Sequence, residues 1–482
     1  MEYENNDYGK STYFTIEKKV EHTWVGKTYL MGLEVPYPAY IPEVKADEDW
    51  HAVLLYDDYI PKGWVISFHS GYWNRVCGPL LSIPEQRKNL MKIVLSRPIL
   101  FYEPPEFYRF VMPLPLISHA LRGSIGNIKK FWKKAIDERD KEGALSLLPE
   151  FERKFIEAQW EQTLYHKWKM ISEKRRSKVD PVKKPEDRAY VHNVWMREIE
   201  LSDIWSKVTE GLQEAEKVKY GSYIPPSPPL FSTSNKKDRE HIKNIIRSIA
   251  YLRNIKLKRC KSNPWLSLYI DQTCFSKTIT GGDEKTGVAE IAEIVNDSFD
   301  SRVHAGISLT ITGWKSIKNE DSSKRNLNWL IEEISDFGLT QGVPLFLPRG
   351  GYYAFEMIDH GVAFFGSLLS GNPQYPRMPG GSDDPDMKFG KLVVYGEGEY
   401  NFEKIKHSLQ EGRELPKIDG LSSKPTSTQL SNDKIWRTQV SKPRRMGTHV
   451  REINEIVKDI KQRGTRSPAL RYLERFKQNK YY

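Results

Sequence analysis

Apolar positions change their spacing several times along this chain. Over residues 1–116 they fall in short aromatic and β-branched runs, Trp24–Leu30, His51–Tyr56, Gly63–His69 and Pro98–Tyr102, bounded by Pro, Gly and Asp. Runs of that kind predict strands. The stretches 37–42 (Tyr-Pro-Ala-Tyr-Ile-Pro) and 103–106 (Glu-Pro-Pro-Glu) predict extended loops, because each proline pushes its predecessor out of the α region. Residues 1–116 therefore read as a mixed, strand-rich α+β domain. From 117 to 219 the spacing turns helical. Phe151, Phe155 and Ala158, then Trp160, Leu164, Trp168 and Ile171, recur on one helical face. The charged, proline-bearing segment 173–188 interrupts this helical connector as a linker.

After Tyr220 short apolar runs alternate with amphipathic helices. The runs are Ser222–Ile224, Trp265–Ile270, His304–Ile311, Val343–Leu347, Val362–Leu368 and Leu392–Tyr395. The helices between them are Lys237–Asn254, Lys285–Asp297, Ser323–Phe337 and Asn401–Glu411. Strands alternating with helices predict βαβ units and a parallel sheet. The expected fold for 220–415 is a degenerate (β/α) barrel-like parallel sheet, with a doubly wound open sheet as the alternative. Six runs are two short of a full barrel, so the N-terminal region supplies the rest or the sheet stays incomplete. Residues 412–436 are polar and rich in Ser, Thr and Pro, which marks a linker before a helical tail at 437–482.

Composition narrows the class. The 482 residues include 12 % aromatics, rings that fill cores but also stack on bases and sugars. No run of about 18 apolar residues predicts a membrane span, and the opening MEYENNDYGK lacks the cationic, apolar form of a secretory signal. The three cysteines, Cys77, Cys260 and Cys274, are widely spaced and argue against a disulfide framework or a cysteine zinc site. A cytoplasmic location is expected on these grounds. Net charge is +11, and Lys434–Tyr482 alone holds fourteen Lys/Arg against four acids. A localised basic segment is the electrostatic footprint of a polyanion, with nucleic acid the leading partner.

In a parallel α/β domain, chemistry gathers at the carboxyl ends of strands. That rule selects Asp271, directly after Leu268-Tyr269-Ile270, and the pair Glu397 and Glu399 after Leu392–Tyr395. Carboxylates there suit proton transfer or a divalent metal such as Mg²⁺. Glu356 and His360 are four residues apart, a spacing that puts both on one helical face for acid–base work; a helix ending at Asp-His-Gly explains the same residues. Arg349 beside Gly350 and Gly351 predicts an anion cradle, and Gly366-Ser367 a second one. No P-loop, dinucleotide fingerprint, nucleophile elbow or kinase motif set occurs in the sequence.

In the tail, Val450, Ile453, Ile456, Val457 and Ile460 form one apolar stripe, Gly464 stops that helix, and Ser467-Pro468 starts a second. Arg466, Arg471, Arg475 and Lys477 would line the second helix, with Lys442, Arg444 and Arg445 as a clamp on phosphates. The leading expectation is a nucleic-acid-associated enzyme that hydrolyses or transfers a group on a phosphate-bearing or nucleotide substrate. A non-enzymatic nucleic-acid-binding or assembly protein, and a small-molecule barrel enzyme whose tail serves oligomerisation, are the alternatives.

Overall fold

The computed structural model describes residues 14–20, 22–44, 47–56, 60, 63–69, 73, 88, 92–93, 95–102, 117, 121, 125–148, 153, 156–157, 160–161, 163–164, 167, 201–227, 229–230, 233, 236–257, 260–275, 286–314, 317, 320–368, 392–394, 398–400, 406 and 425–463. The chain forms two units, one of residues 1–103, 205–376 and 382–482, the other of 104–204 and 377–381.

The first unit begins with an antiparallel meander, β1 (Phe14–Val20), β2 (Thr23–Leu30) and β3 (Leu33–Tyr37). Met31 and Gly32 join β2 to β3, both at positive φ (52° and 84°), as a tight hairpin turn requires. A parallel sheet follows: β4 (Ala39–Val44), β5 (Ile66–His69), β6 (Ile99–Tyr102), β7 (Gly221–Ile224), β8 (Pro229–Leu230), β9 (Leu266–Ile270), β10 (Ile307–Ile311), β11 (Leu345–Leu347) and β12 (Phe364–Leu368). β12 pairs with β4 in parallel. At the remaining seam, Tyr223 bridges Pro264 and the Trp265 N–H donates to the Tyr223 carbonyl at 2.8 Å.

The two-residue strand β8 is the continuation of β7. Tyr223 stands opposite Pro264, and Pro229 stands opposite Tyr269. Five residues, Ile224–Pro228, therefore face four, Trp265–Leu268, which is a β-bulge. Pro225 and Pro226 supply no N–H, so this seam holds only a bridge before β8 restores the ladder. Counted this way, eight parallel strands run round the ring in chain order. Stepping sideways from Leu368 through Glu43, Ser67, Leu100 and Ser222, then on at the registers of the remaining pairs, returns to β12 at His360, eight residues earlier. A shear of eight is that of the (β/α) barrel.

The barrel-like parallel fold expected from the sequence is present. Five of its eight strands come from the runs after Tyr220. The other three, β4, β5 and β6, come from the stretch read as a separate N-terminal domain, so the ring crosses both boundaries drawn at 116 and 220. Three local expectations are corrected. The segment 37–42, read as loop, contributes to β4; Pro42 sits in the strand opposite Ser367. The run His51–Tyr56 belongs to a helix, Asp47–Tyr56. Its Ala and Leu residues favour helix, and Trp50, Ala52 and Val53 are buried. Leu392–Tyr395 does not join the ring: β13 (Leu392–Val394) pairs antiparallel with β14 (Gly398–Tyr400) in a separate two-stranded sheet.

Helices cover the outward face. The helix Lys442–Arg463 closes the set, packing on β4 and on the helix Asp47–Tyr56. Met446, Val450, Ile453, Ile456 and Ile460 are buried along it, the stripe read from the sequence. Its His449 ring lies 4.6 Å from Tyr40 of β4 and 5.7 Å from Phe365 of β12. This helix thus takes the place of the barrel's eighth helix.

The second unit is helical where it is described. Ile125–Trp132 and Lys141–Leu145 form helices, and Phe131, Ala144, Leu145, Ile156 and Trp160 share one core. Asp140 caps the latter helix, accepting from the Gly143 N–H at 2.8 Å.

Candidate active site

Strand alternation sorts the ring's side chains. Tyr40, Phe68 and Phe365 point outward, since Tyr40 and Phe365 meet His449 and Phe68 meets Trp50, 5.6 Å away. Their neighbours point in. With a shear of eight, alternate strands contribute inward residues to common layers. One layer holds Ile41, Leu100, Trp265 and Phe346. Trp265 and Phe346 meet edge to face at 6.2 Å, and the Trp265 indole N–H donates to Ser222 Oγ at 3.0 Å. This layer plugs the ring. The next layer toward the carboxyl end holds Ser67, Ile224, Ser308 and Gly366. Above it come Glu43, Tyr102, Ser267 and Pro348.

Glu43 is the centre of the arrangement. It ends β4 and is 1 % exposed. Its Oε1 accepts from the Arg349 backbone N–H at 2.7 Å. Its Oε2 accepts from Arg349 Nε at 3.3 Å and from the Tyr102 hydroxyl at 3.4 Å. Burial pushes the Glu43 carboxyl above the ordinary glutamate value, against the opposing pull of the Arg349 charge and of these hydrogen bonds. Arg349 follows Pro348 just past β11, at φ 49° and 2 % exposed. A left-handed arginine costs strain that the surrounding contacts must hold in place.

Gly366 makes room for this carboxylate. A Cβ there would stand 2.7 Å from Glu43 Oε1 and 3.0 Å from the Phe346 ring. The anion cradles expected at Arg349 and at Gly366-Ser367 are therefore corrected. Arg349 is committed to an internal carboxylate, and Gly366 and Ser367 lie within β12 rather than in a loop. Gly350 and Gly351 open a six-residue helix, Gly351–Glu356, and a Cβ at Gly350 would collide with Ala354. The glycine there serves helix packing.

Asp271 is where the sequence placed it, directly after β9, and it is fully buried. It accepts from the Thr273 N–H at 3.0 Å, from Thr273 Oγ1 at 2.8 Å and from Thr312 Oγ1 at 3.1 Å. The residue of β9 level with Glu43 is Ser267. Asp271 lies four residues further along, about 13 Å of strand nearer the rim at about 3.3 Å per residue. The loops around it interlock, because Gly313 (φ 66°) leaves the space that the Gln272 side chain fills. Cys274 donates its thiol to the Leu230 carbonyl at 3.2 Å. Burial, with Asp271 nearby, pushes that thiol well up, so it is no nucleophile.

The remaining candidates stand elsewhere. Glu356 and His360 precede β12, at the ring's amino edge. His360 Nδ1 lies 2.6 Å from Glu332 Oε1, and Gly361 (φ 95°) terminates the turn, the capping reading of Asp-His-Gly. Glu399 sits in β14, opposite Val393 and outside the ring; Glu397 lies outside the described residues. Lys442 is buried with its Nζ 2.8 Å from Asp49 Oδ1, which removes it from any phosphate clamp. Arg444 and Arg445 belong to the same helix, while Arg466, Arg471, Arg475 and Lys477 lie outside the described residues. Among the described residues no group of three or more His, Cys, Asp and Glu could hold a metal ion, and no helix is long and apolar enough to cross a membrane.

Sequence reasoning missed Glu43, Ser67, Tyr102 and Ser308. The signal was there for Glu43 and Tyr102, polar residues closing short apolar runs. Prolines around Tyr40 masked the first. Assigning the N-terminal strands to another domain hid the second. No protein-family model matches the chain, and no curated protein matches it.

Proposed function

We propose that this protein is a barrel enzyme that hydrolyses or transfers a group on a nucleotide-class substrate, with Glu43 as its proton-transferring carboxyl. The observation that carries this reading is a fully buried Glu43 facing the centre of the ring near its carboxyl edge, its proton affinity raised by burial. A carboxyl so tuned holds and releases a proton nearer neutrality, as general acid–base catalysis needs. Arg349 and Tyr102 fix its orientation through donors on both oxygens. Asp271, held by three donors near the rim, orients the part of the substrate outside the ring. The basic excess over Lys434–Tyr482 supports a polyanionic substrate such as nucleic acid.

The test uses the full chain against nucleosides, nucleotides and short oligonucleotides, following release of base, sugar or phosphate. Glu43→Gln should lower kcat by about 10²–10⁴-fold, the usual contribution of a positioned proton carrier, with an unaltered Tm. A Glu43→Gln protein that turns over a substrate at the wild-type rate would remove Glu43 from the chemistry. Binding of the oligonucleotides that is indifferent to salt would remove the polyanion from the reading.

A further inference from the structure

The layer beneath Glu43 is unlike a packed barrel interior. Such layers are dominated by bulky branched side chains. Here the four positions are Ser67, Ile224, Ser308 and Gly366, three of them small. Ser67 is 1 % exposed and Ser308 is fully buried, and among the described residues neither hydroxyl has a hydrogen-bond partner. A buried hydroxyl without a partner costs free energy, so natural proteins rarely leave one unless something outside the chain completes it. Both serines face the ring axis. Ser67 stands beside Glu43 across the β4–β5 ladder, and Ser308 beside Ser267 across β9–β10. Below them the Trp265–Phe346 contact closes the ring.

We propose that the centre of the ring, between the Trp265–Phe346 plug and Glu43, is a well for the sugar of the substrate, with Ser67 and Ser308 as its hydroxyl contacts. Charge decides the class of group. The serine layer offers no cation, and a carboxyl stands directly above it, so a phosphate would enter against repulsion. An uncharged polyol suits both levels. Its hydroxyls donate to Glu43 and exchange hydrogen bonds with serines that both give and accept. The inference rests on the ring's mouth being the substrate site, and does not need Glu43 to transfer a proton.

The experiment measures binding of D-ribose and of inorganic phosphate to the full chain by ligand-observed NMR and thermal shift. The proteins are wild type, Ser67→Ala, Ser308→Ala and Glu43→Gln. Ribose should bind wild type, and each serine variant should weaken it about 3–10-fold, the worth of a single hydrogen bond. The ligand-free Tm of both serine variants should stay level or rise, because each loses an unpartnered hydroxyl. A purely structural serine would instead lower the ligand-free Tm. The inference is overturned if ribose binds the serine variants as it binds wild type, or if phosphate binds wild type and ribose does not. Ribose binding with an active Glu43→Gln would leave the well standing and remove only the proton-transfer reading.

Discussion

Lys442 Nζ lies 2.8 Å from Asp49 Oδ1, and both side chains are buried although 393 positions separate them in the chain. The pair ties the last long helix to the helix that follows the ring's first strand, so chain ends meet at the seam where β12 joins β4. Breaking one partner of a buried pair leaves a charge without its counter-ion, at a cost of about 3–5 kcal/mol. Lys442→Met should lower stability by that amount in urea titration, whereas Lys442→Met combined with Asp49→Leu should recover most of it. Equal losses in single and double variants would show that the pair does not couple the two helices.

The parallel sheet was legible from Tyr220 onward because its strands are unbroken apolar runs flanked by periodic helices. Val343–Leu347 and Val362–Leu368 announce strands buried on both faces. The first strand was not legible, since Pro38 and Pro42 flank Tyr40 and a proline in a central strand argues against one. The candidate site divided the same way. Asp271 stands at the end of an obvious strand. The Glu43–Arg349 pair joins residues 306 positions apart, and no local pattern carries such a contact. The basic tail misled for a related reason. Charge counts do not reveal that Lys442 faces inward on a helix whose other face is the apolar stripe.

Glu43 should make stability depend on pH in a definite direction. Its carboxyl is raised above the ordinary 4.5 by burial, so the folded chain holds the proton more tightly than the unfolded one. The resulting stabilisation is complete below pH 4.5 and is lost as pH rises through the raised value. Gln at 43 mimics the protonated form at every pH. The Tm of Glu43→Gln relative to wild type should therefore climb as pH rises above 4.5. A difference that stays flat across that range would contradict the raised value.

His304 should act with the opposite sign. It is 2 % exposed, its Nδ1 accepts from the Asp300 N–H at 2.9 Å, and it lines a small cavity at the proline bulge with Pro225, Pro226, Ser227 and Ser267. Burial depresses it to about 4 from 6.5. The stabilisation is present above pH 6.5 and is lost as pH falls through 4, up to roughly 3 kcal/mol. Asn at 304 retains an acceptor for the Asp300 N–H and does not titrate. Urea midpoints of His304→Asn and wild type should converge as pH falls from 7 toward 4, and parallel curves would refute a neutral buried imidazole.

Gly366 offers a way to move Glu43 without altering its chemistry. A Cβ at this position would meet Glu43 Oε1 at 2.7 Å, closer than real Cβ contacts come, and the rigid Phe346 ring blocks retreat on the other side. The carboxylate must then swing away from the Arg349 N–H that now donates to it at 2.7 Å. Overpacking of this size typically costs about 1–3 kcal/mol, which leaves the ring folded. If Glu43 transfers the proton, Gly366→Ala should lower kcat far more than that loss of stability would suggest, because misplacement by about 1 Å can cost 10²-fold. It should also disturb the pH–rate profile, which a merely destabilised protein would keep. Wild-type kcat in a folded Gly366→Ala variant would mean that the position of the Glu43 carboxylate does not govern the reaction.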